Sequence, residues 1–182
     1  MLMLTFAVPI SAAYAYFFFG DHRSTSNHGD FIKPVIDIVD LQLTDENNNP
    51  IPREELTHKW RMLFVVGKDC NDACNKGLYH MRQVNIALGK NQDRFQHMII
   101  HAEAMSQGLA KLVATEYQAS IHAYSSRETL LKMFSAIQTE LPSSSIYVMD
   151  PIGNIMMKFD PEVSPKLILK DLNHLLKVSQ IG

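Results

Sequence analysis

The chain has 182 residues, of which 46% are hydrophobic, and a formal net charge of -2 at pH 7. This length and composition suit one globular domain with its own core and exclude a largely disordered chain. The near-balanced charge, without a basic stripe interleaved with aromatic residues, excludes a nucleic-acid-binding protein. Two cysteines are too few for a disulfide-rich scaffold or a structural zinc site.

The first 20 residues are uncharged and mostly apolar. This approaches the roughly 20 apolar residues that cross a bilayer, so residues 1–20 predict one N-terminal transmembrane helix. A cleaved signal peptide is the alternative, because Ala13-Tyr14-Ala15 matches a small-x-small cleavage pattern. The apolar run continues through Phe17, Phe18 and Phe19, which favours an anchor.

The polar residues 21–34 predict a linker that leads to a folded domain over residues 35–178. Charge alone leaves the membrane topology open. Arg23 and Lys33 follow the predicted anchor and no positive charge precedes it, so the positive-inside rule taken literally places the domain in the cytoplasm. Two positive charges are too few to fix the topology.

Strand-like alternation over residues 35–43 predicts the first strand, and a polar turn follows it. The continuous apolar run from Met62 to Val66 predicts a strand buried on both faces of a parallel sheet. Gly67 ends that strand. Asp69 or Cys70 can cap the next helix, whose apolar residues recur at three- and four-residue steps.

Cys70 and Cys74 follow the buried strand at i, i+4 spacing, which places them a helical turn apart. They can form a disulfide or chelate one metal ion, since unstrained disulfides need a Cα separation of about 4.4–6.8 Å. A helix start favours the Cys70 thiolate, the form that thiol exchange and soft metals require. Two buried, inert cysteines are the alternative, although Asn71, Asp72 and Asn75 indicate a solvent-facing loop.

A second buried strand is predicted over residues 97–101, and strand, helix, strand in this order predict a right-handed crossover with parallel strands. His101 then lies at the sheet edge that carries the cysteines, as a candidate third metal ligand or acid/base group. A structural or solvated role is the alternative. A helix over residues 106–116, a short strand over residues 121–124 and a capping box from Ser125 to Glu128 follow.

The last third of the chain predicts a β-hairpin, with strands over residues 145–149 and 155–159. Ser164 and Pro165 supply the N-cap and first position of a final amphipathic helix. The chain therefore alternates strands and helices around one cysteine pair.

This order of elements resembles the thioredoxin-like fold, a three-layer α/β/α domain. With the anchor and the CxxxC pair, it resembles the Sco/SenC family of cytochrome c oxidase assembly proteins. The matching segments are Cys70-Asn71-Asp72-Ala73-Cys74 and the strand-Asp-Pro-x-Gly hairpin from Ile146 to Asn154. Residues 25–29 and 78–83 are similar to a group of single-span proteobacterial proteins encoded near oxidase genes.

In Sco proteins two cysteines and a histidine before the hairpin strand hold copper. The matching position here falls at or near Pro142, and no histidine stands within Leu141-Pro142-Ser143-Ser144-Ser145. Two thiolates alone can hold soft Cu(I) but hold Cu(II) poorly. Pro142 could instead be the cis-proline that thioredoxin-like oxidoreductases place opposite their cysteines, or a trans turn proline.

The resemblance implies a membrane-anchored thiol and copper protein on the periplasmic side of the bacterial inner membrane. Cys70 and Cys74 would be its catalytic pair and its Cu(I) ligands, and an oxidase subunit or another assembly factor its partner. In thiol exchange Cys70 attacks and Cys74 resolves the mixed disulfide. The alternative is a non-catalytic docking module of a membrane respiratory complex, with the cysteines locked as a structural disulfide or idle.

Overall fold

The structure is a computed structural model that describes residues 8–11, 14 and 27–179. Residues 8–11 and 14 are helical. Among the described residues, no helix is both long enough and apolar enough to cross a bilayer. Most of the predicted anchor, and the first part of the predicted linker, lie outside the described residues.

Six strands form one mixed sheet. They are β1 (Asp30–Asp37), β2 (Trp60–Val66), β3 (Phe95–His101), β4 (Ile121–Tyr124), β5 (Ile146–Met149) and β6 (Asn154–Phe159). Their order across the sheet is β1-β6-β5-β2-β3-β4. The strands β2, β3 and β4 are parallel, as the crossover rule predicts, and β5, β6 and β1 extend the sheet antiparallel on the other side.

Helices cover both faces of the sheet. They are α1 (Arg53–Leu56), α2 (Asp72–Leu88), α3 (Gln107–Glu116), α4 (Arg127–Phe134) and α5 (Pro165–Val178). The buried residues of α2, α3 and α5 form one core with one face of β2, while α4 and the 3-10 turn Ile38–Leu41 cover the other face. The predicted three-layer α/β/α architecture is thereby confirmed for the folded domain.

Local sequence explains the centre of this architecture. Every residue of β2 is buried, because Met62 and Phe64 face one core and Leu63 and Val65 face the other. Along α2 the buried residues recur at three- and four-residue steps, so one face of the helix packs on the sheet. They are Cys74, Gly77, Leu78, His80, Met81, Val84 and Leu88.

Two of the boundaries that differ from the sequence predictions depend on specific hydrogen bonds. The first strand begins at Asp30, inside the predicted linker, and ends at Asp37, whose carboxylate accepts from the N–H of Val39 and turns the chain. The N-cap of α4 is Ser126 rather than Ser125. The Ser125 hydroxyl donates instead to the carbonyl of Leu41 at 2.6 Å, a tertiary contact that no local pattern indicates.

Candidate functional site

Cys70 and Cys74 form a disulfide between the carboxyl end of β2 and the first turn of α2. The S–S distance is 1.94 Å and the Cα–Cα distance is 5.2 Å, within the range that the spacing predicts. Cys74 is 2% exposed and lies in the core, whereas Cys70 is half-buried. A nucleophile that approaches from solvent therefore reaches the sulfur of Cys70 more easily.

The cap of α2 differs from the prediction. Neither Asp69 nor Cys70 is the cap, because the Asn71 side chain accepts the backbone N–H of Cys74 at 2.9 Å. Cys70 thus precedes the helix instead of lying in its first turn, and Cys74 is the cysteine that lies in the first turn. Asn75 donates to the Cys70 carbonyl at 3.2 Å and fixes the loop. Asparagine is among the preferred N-caps, so sequence could have indicated Asn71.

The segment before β5 packs against the cysteine loop. A Cβ placed on Gly67 would lie 3.3 Å from Leu141 Cδ2. Pro142 is buried, and because the only cis peptide bond within the described part of the chain precedes Pro34, its bond to Leu141 is trans. Pro142 is therefore a trans turn proline. The stretch from Leu141 to Ser145, to which the Sco resemblance assigns the histidine position, therefore begins beside the cysteine loop and contains no histidine.

His101 ends β3 at the same sheet edge as the cysteine loop, since it pairs in register with Val66. Its side chain is 2% exposed, and its Nε2 lies 3.0 Å from Nδ1 of His122, while the ring stacks on Tyr124. Burial, together with the neighbouring His122, lowers the pKa of His101 to about 4. Across the described residues, no three His, Cys, Asp or Glu side chains converge to hold a metal ion. His101 thus contacts His122 instead of completing a three-ligand group with the cysteines.

His122 and Tyr124 are neighbours of His101 that the sequence reasoning missed. Both lie on the weakly predicted strand β4, and their i, i+2 spacing places them on the sheet face that carries His101. This spacing is the sequence signal that could have indicated them. With Glu103 and the hydroxyl residues at the start of α4, His101 and Tyr124 line a cavity of about 580 Å³.

Acid is expected to destabilise the fold through two histidines, His101, which is buried, and His97, which is half-buried. Burial lowers the pKa of His97 and of His101 to about 4, against 6.5 when exposed. The unfolded chain therefore binds more protons below pH 6.5, and the free energy of unfolding should fall from pH 6.5 towards pH 4, by up to about 3 kcal/mol for each histidine. Urea unfolding at a series of pH values measures this loss.

The control for this acid effect is the exposed His174. His97→Gln combined with His101→Gln should flatten the stability profile between pH 6.5 and 4, whereas His174→Gln should leave its slope unchanged. An unchanged slope in the double variant would show that other groups cause the acid sensitivity.

The fold and the cysteine pair define a thioredoxin-like dithiol protein. Residues 60–179 match the family of the transmembrane-like, thioredoxin-like, C-terminal domain, and the chain belongs to this family. No curated protein matches the chain at a significant level.

Solved structures with the same fold include several Sco proteins. ScoI of Bradyrhizobium japonicum with copper bound is 19% identical, with a TM-score of 0.53 over 74% of this chain and 96% of that chain. Yeast Sco1 is 15% identical, with a TM-score of 0.61 over 81% and 98%. A thiol:disulfide interchange protein from Bacteroides sp. is 12% identical, with a TM-score of 0.55 over 84% and 91%. At these identities the likeness shows the fold.

Proposed function

We propose that the protein is a Sco-like thiol and copper protein, anchored in the bacterial inner membrane with its domain in the periplasm, that helps assemble the copper site of cytochrome c oxidase. One observation carries the proposal: the disulfide of Cys70 and Cys74 joins the end of a fully buried strand to the start of a helix. The solved Sco structures that share this fold, among them one with copper bound, support it.

The redox chemistry needs the reduced form of the pair. The Cys70 thiolate attacks one sulfur of a target disulfide, forming a mixed disulfide and releasing the other target sulfur as a thiolate that takes up a proton. The Cys74 thiolate then attacks Cys70 and releases the second target thiol. Two electrons pass to the target, and an external dithiol reductant restores the pair. The greater exposure of Cys70 supports this order of attack.

Copper would be cargo held by the same two sulfurs after reduction. Two thiolates suit Cu(I), which is soft and accepts low coordination numbers. Leu141 and Pro142 occupy the place beside the cysteine loop where a third, imidazole ligand would be expected from the Sco pattern. The proposal therefore favours thiol exchange and transient Cu(I) carriage over stable Cu(II) binding.

Replacement of each cysteine in turn is expected to distinguish the attacking cysteine from the resolving one. Cys70→Ser should abolish reduction of a target disulfide, whereas Cys74→Ser should trap the target as a mixed disulfide with Cys70, which non-reducing electrophoresis detects. The reduced 182-residue chain in detergent should bind one Cu(I) in competition with a chromogenic chelator, and the double serine variant should not.

Asp69→Ser serves as the matched control, since Asp69 is an exposed loop neighbour with no sulfur. It should retain both exchange and Cu(I) binding. Trapping through Cys74 instead of Cys70 would reverse the order of attack. If Cu(I) binding does not depend on the cysteines, copper carriage is excluded and only thiol exchange remains.

A docking module without thiol chemistry is the second candidate, favoured by apolar residues on the outer face of α2. Tyr79 and Ile86, two helical turns apart, are 54% and 59% exposed. A reduction potential of the cysteine pair below about -300 mV, the range of structural disulfides, would favour this candidate over exchange.

A further inference from the structure

The loop that connects β3 to α3 runs directly alongside the cysteine loop. Its backbone is hydrogen-bonded to the chain that leads from β2 to the first cysteine. The N–H of Ala102 donates to the carbonyl of Val66 at 2.9 Å, and the N–H of Ser106 donates to the carbonyl of Lys68 at 2.8 Å. The two loops are therefore held together at both ends of the connection.

Met105 brings a thioether sulfur to this connection. It directly precedes Ser106 and is half-buried, like Cys70. Both side chains pack against the same buried cluster, which also contains Cys74. Because the bond of Ser106 to Lys68 links the two loops, covalent geometry keeps the Cα atoms of Met105 and Cys70 within roughly 12 Å of each other.

One copper ion can bridge this separation. A methionine side chain carries its sulfur roughly 4 Å from its Cα atom, and a cysteine side chain roughly 3 Å. Bonds between a metal ion and sulfur are about 2.3 Å long. Together these lengths approach the largest separation that the backbone contact allows, and the three rotatable bonds of methionine let its sulfur adjust to a shorter one.

The histidine by which Sco proteins complete their copper site has no counterpart at its expected position. The stretch from Leu141 to Ser145 contains no histidine, and Nε2 of His101 lies 3.0 Å from Nδ1 of His122. A thioether is a soft ligand like a thiolate, and both favour Cu(I). Met105 is therefore a chemically suited third donor beside the cysteine pair.

Methionine also fills gaps in protein cores without binding any ligand. Met105 differs from a core methionine in its surroundings, because it lines the cavity of about 580 Å³ that His101 and Tyr124 also line. A donor at the wall of this cavity can be reached from outside the core. Transfer of copper to a partner by ligand exchange requires such access.

Resting on the copper carriage of the proposed function, we propose that the thioether of Met105 is the third ligand of the Cu(I) ion that Cys70 and Cys74 hold after reduction of their disulfide. The resulting set of three sulfur atoms favours Cu(I) over Cu(II), because thiolates and thioethers are soft ligands. Met105 thus takes the place of the imidazole that the Sco pattern would supply.

X-ray absorption at the copper edge tests this ligand directly. The 182-residue chain is produced with selenomethionine, reduced, freed of reductant and loaded with one equivalent of Cu(I) in detergent. We expect a copper–selenium scattering path in this protein and in Met133→Leu, and loss of that path in Met105→Leu. Met133 is the matched control, since it is also half-buried but packs against the core on the other face of the sheet.

Competition with a chromogenic chelator measures the affinity for Cu(I). Leucine keeps most of the apolar volume of methionine and removes its sulfur. Met105→Leu should weaken binding by roughly tenfold or more, since loss of even an outer partner of a metal ligand costs about that much. Met133→Leu should bind Cu(I) as tightly as the parent chain. If Met105→Leu does not fold, Met105→Gln, which also lacks sulfur, takes its place.

The outcomes separate this inference from the proposed function. Cysteine-dependent Cu(I) binding without a copper–selenium path in the parent chain would overturn the role of Met105 and leave carriage by two thiolates intact. A path that persists in Met105→Leu would also overturn it, because another methionine would then be the ligand. Absence of cysteine-dependent Cu(I) binding in the parent chain would overturn the inference together with copper carriage, whereas the trapping assay tests thiol exchange independently.

Discussion

Asp171→Ala is expected to lower the free energy of unfolding by about 4 kcal/mol. The substitution leaves the backbone N–H groups of His28 and Gly29 without their charged acceptor and removes the partner of the His28 ring. Each lost hydrogen bond to a buried charged group costs on the order of 1.5–3 kcal/mol, and release of residues 27–29 recovers part of this loss. Urea denaturation at neutral pH measures the change.

Lys170→Ala is the matched control, because Lys170 is exposed on the same helix. Its free energy of unfolding should stay within about 0.5 kcal/mol of the parent chain. Asp171→Asn should lie between the parent chain and Asp171→Ala. If Asp171→Ala unfolds at the same urea concentration as Lys170→Ala, the contact of Asp171 with His28 and Gly29 contributes nothing to stability.

Gly77→Val is expected to destabilise the domain by about 4 kcal/mol, more than the roughly 1–3 kcal/mol that overpacking typically costs. A Cβ at Gly77 would lie 2.5 Å from Phe64 Cε2 and 2.8 Å from the backbone oxygen of Ser144. Neither neighbour can move easily, since Phe64 is fully buried and the oxygen belongs to the backbone. Helix α2 would have to move away from the sheet, and Cys74 with it.

The control is Gly108, a glycine in helix α3 with no neighbouring atoms where a side chain would be added. A Cβ on Gly108 in α3 meets nothing within 4 Å, so Gly108→Val should change stability by less than about 0.5 kcal/mol. Urea unfolding of the oxidised proteins compares the two variants. Equal changes in the free energy of unfolding at both positions would mean that helix propensity, and not the close approach of α2 to β2, determines the effect of Gly77→Val.

Much of the fold follows from local sequence patterns. The apolar run of β2, the periodic apolar face of α2 and the strand-turn-strand pattern of the hairpin are each complete within a short stretch of chain. The exposed edge strand β1 was placed less accurately, because only two of its eight residues, Ile32 and Ile36, are buried, and its partner β6 lies more than a hundred residues away. Its start depends on a contact with α5 that no local pattern contains.

In the candidate site, too, some features follow from local sequence and others depend on tertiary contacts. The spacing of Cys70 and Cys74 predicted that they could form a disulfide or chelate one metal ion, and the structure contains the disulfide. Sequence also placed His101 at the correct sheet edge, because parallel strands end on one side. It did not place His122 beside it, since that contact requires the weak strand β4 to pair with β3 in one register.

The sequence by itself determined the class of fold, the dithiol pair and the absence of a histidine near Pro142, because these are properties of residue identity and short-range periodicity. Only the tertiary structure decided that His101 pairs with His122, that Leu141 packs on the cysteine loop and that Asp171 holds the N-terminal segment. Each of these contacts joins residues from different elements, and their meeting depends on how sheet and helices pack. Packing sums many weak interactions over the whole chain, so no single stretch of sequence records it.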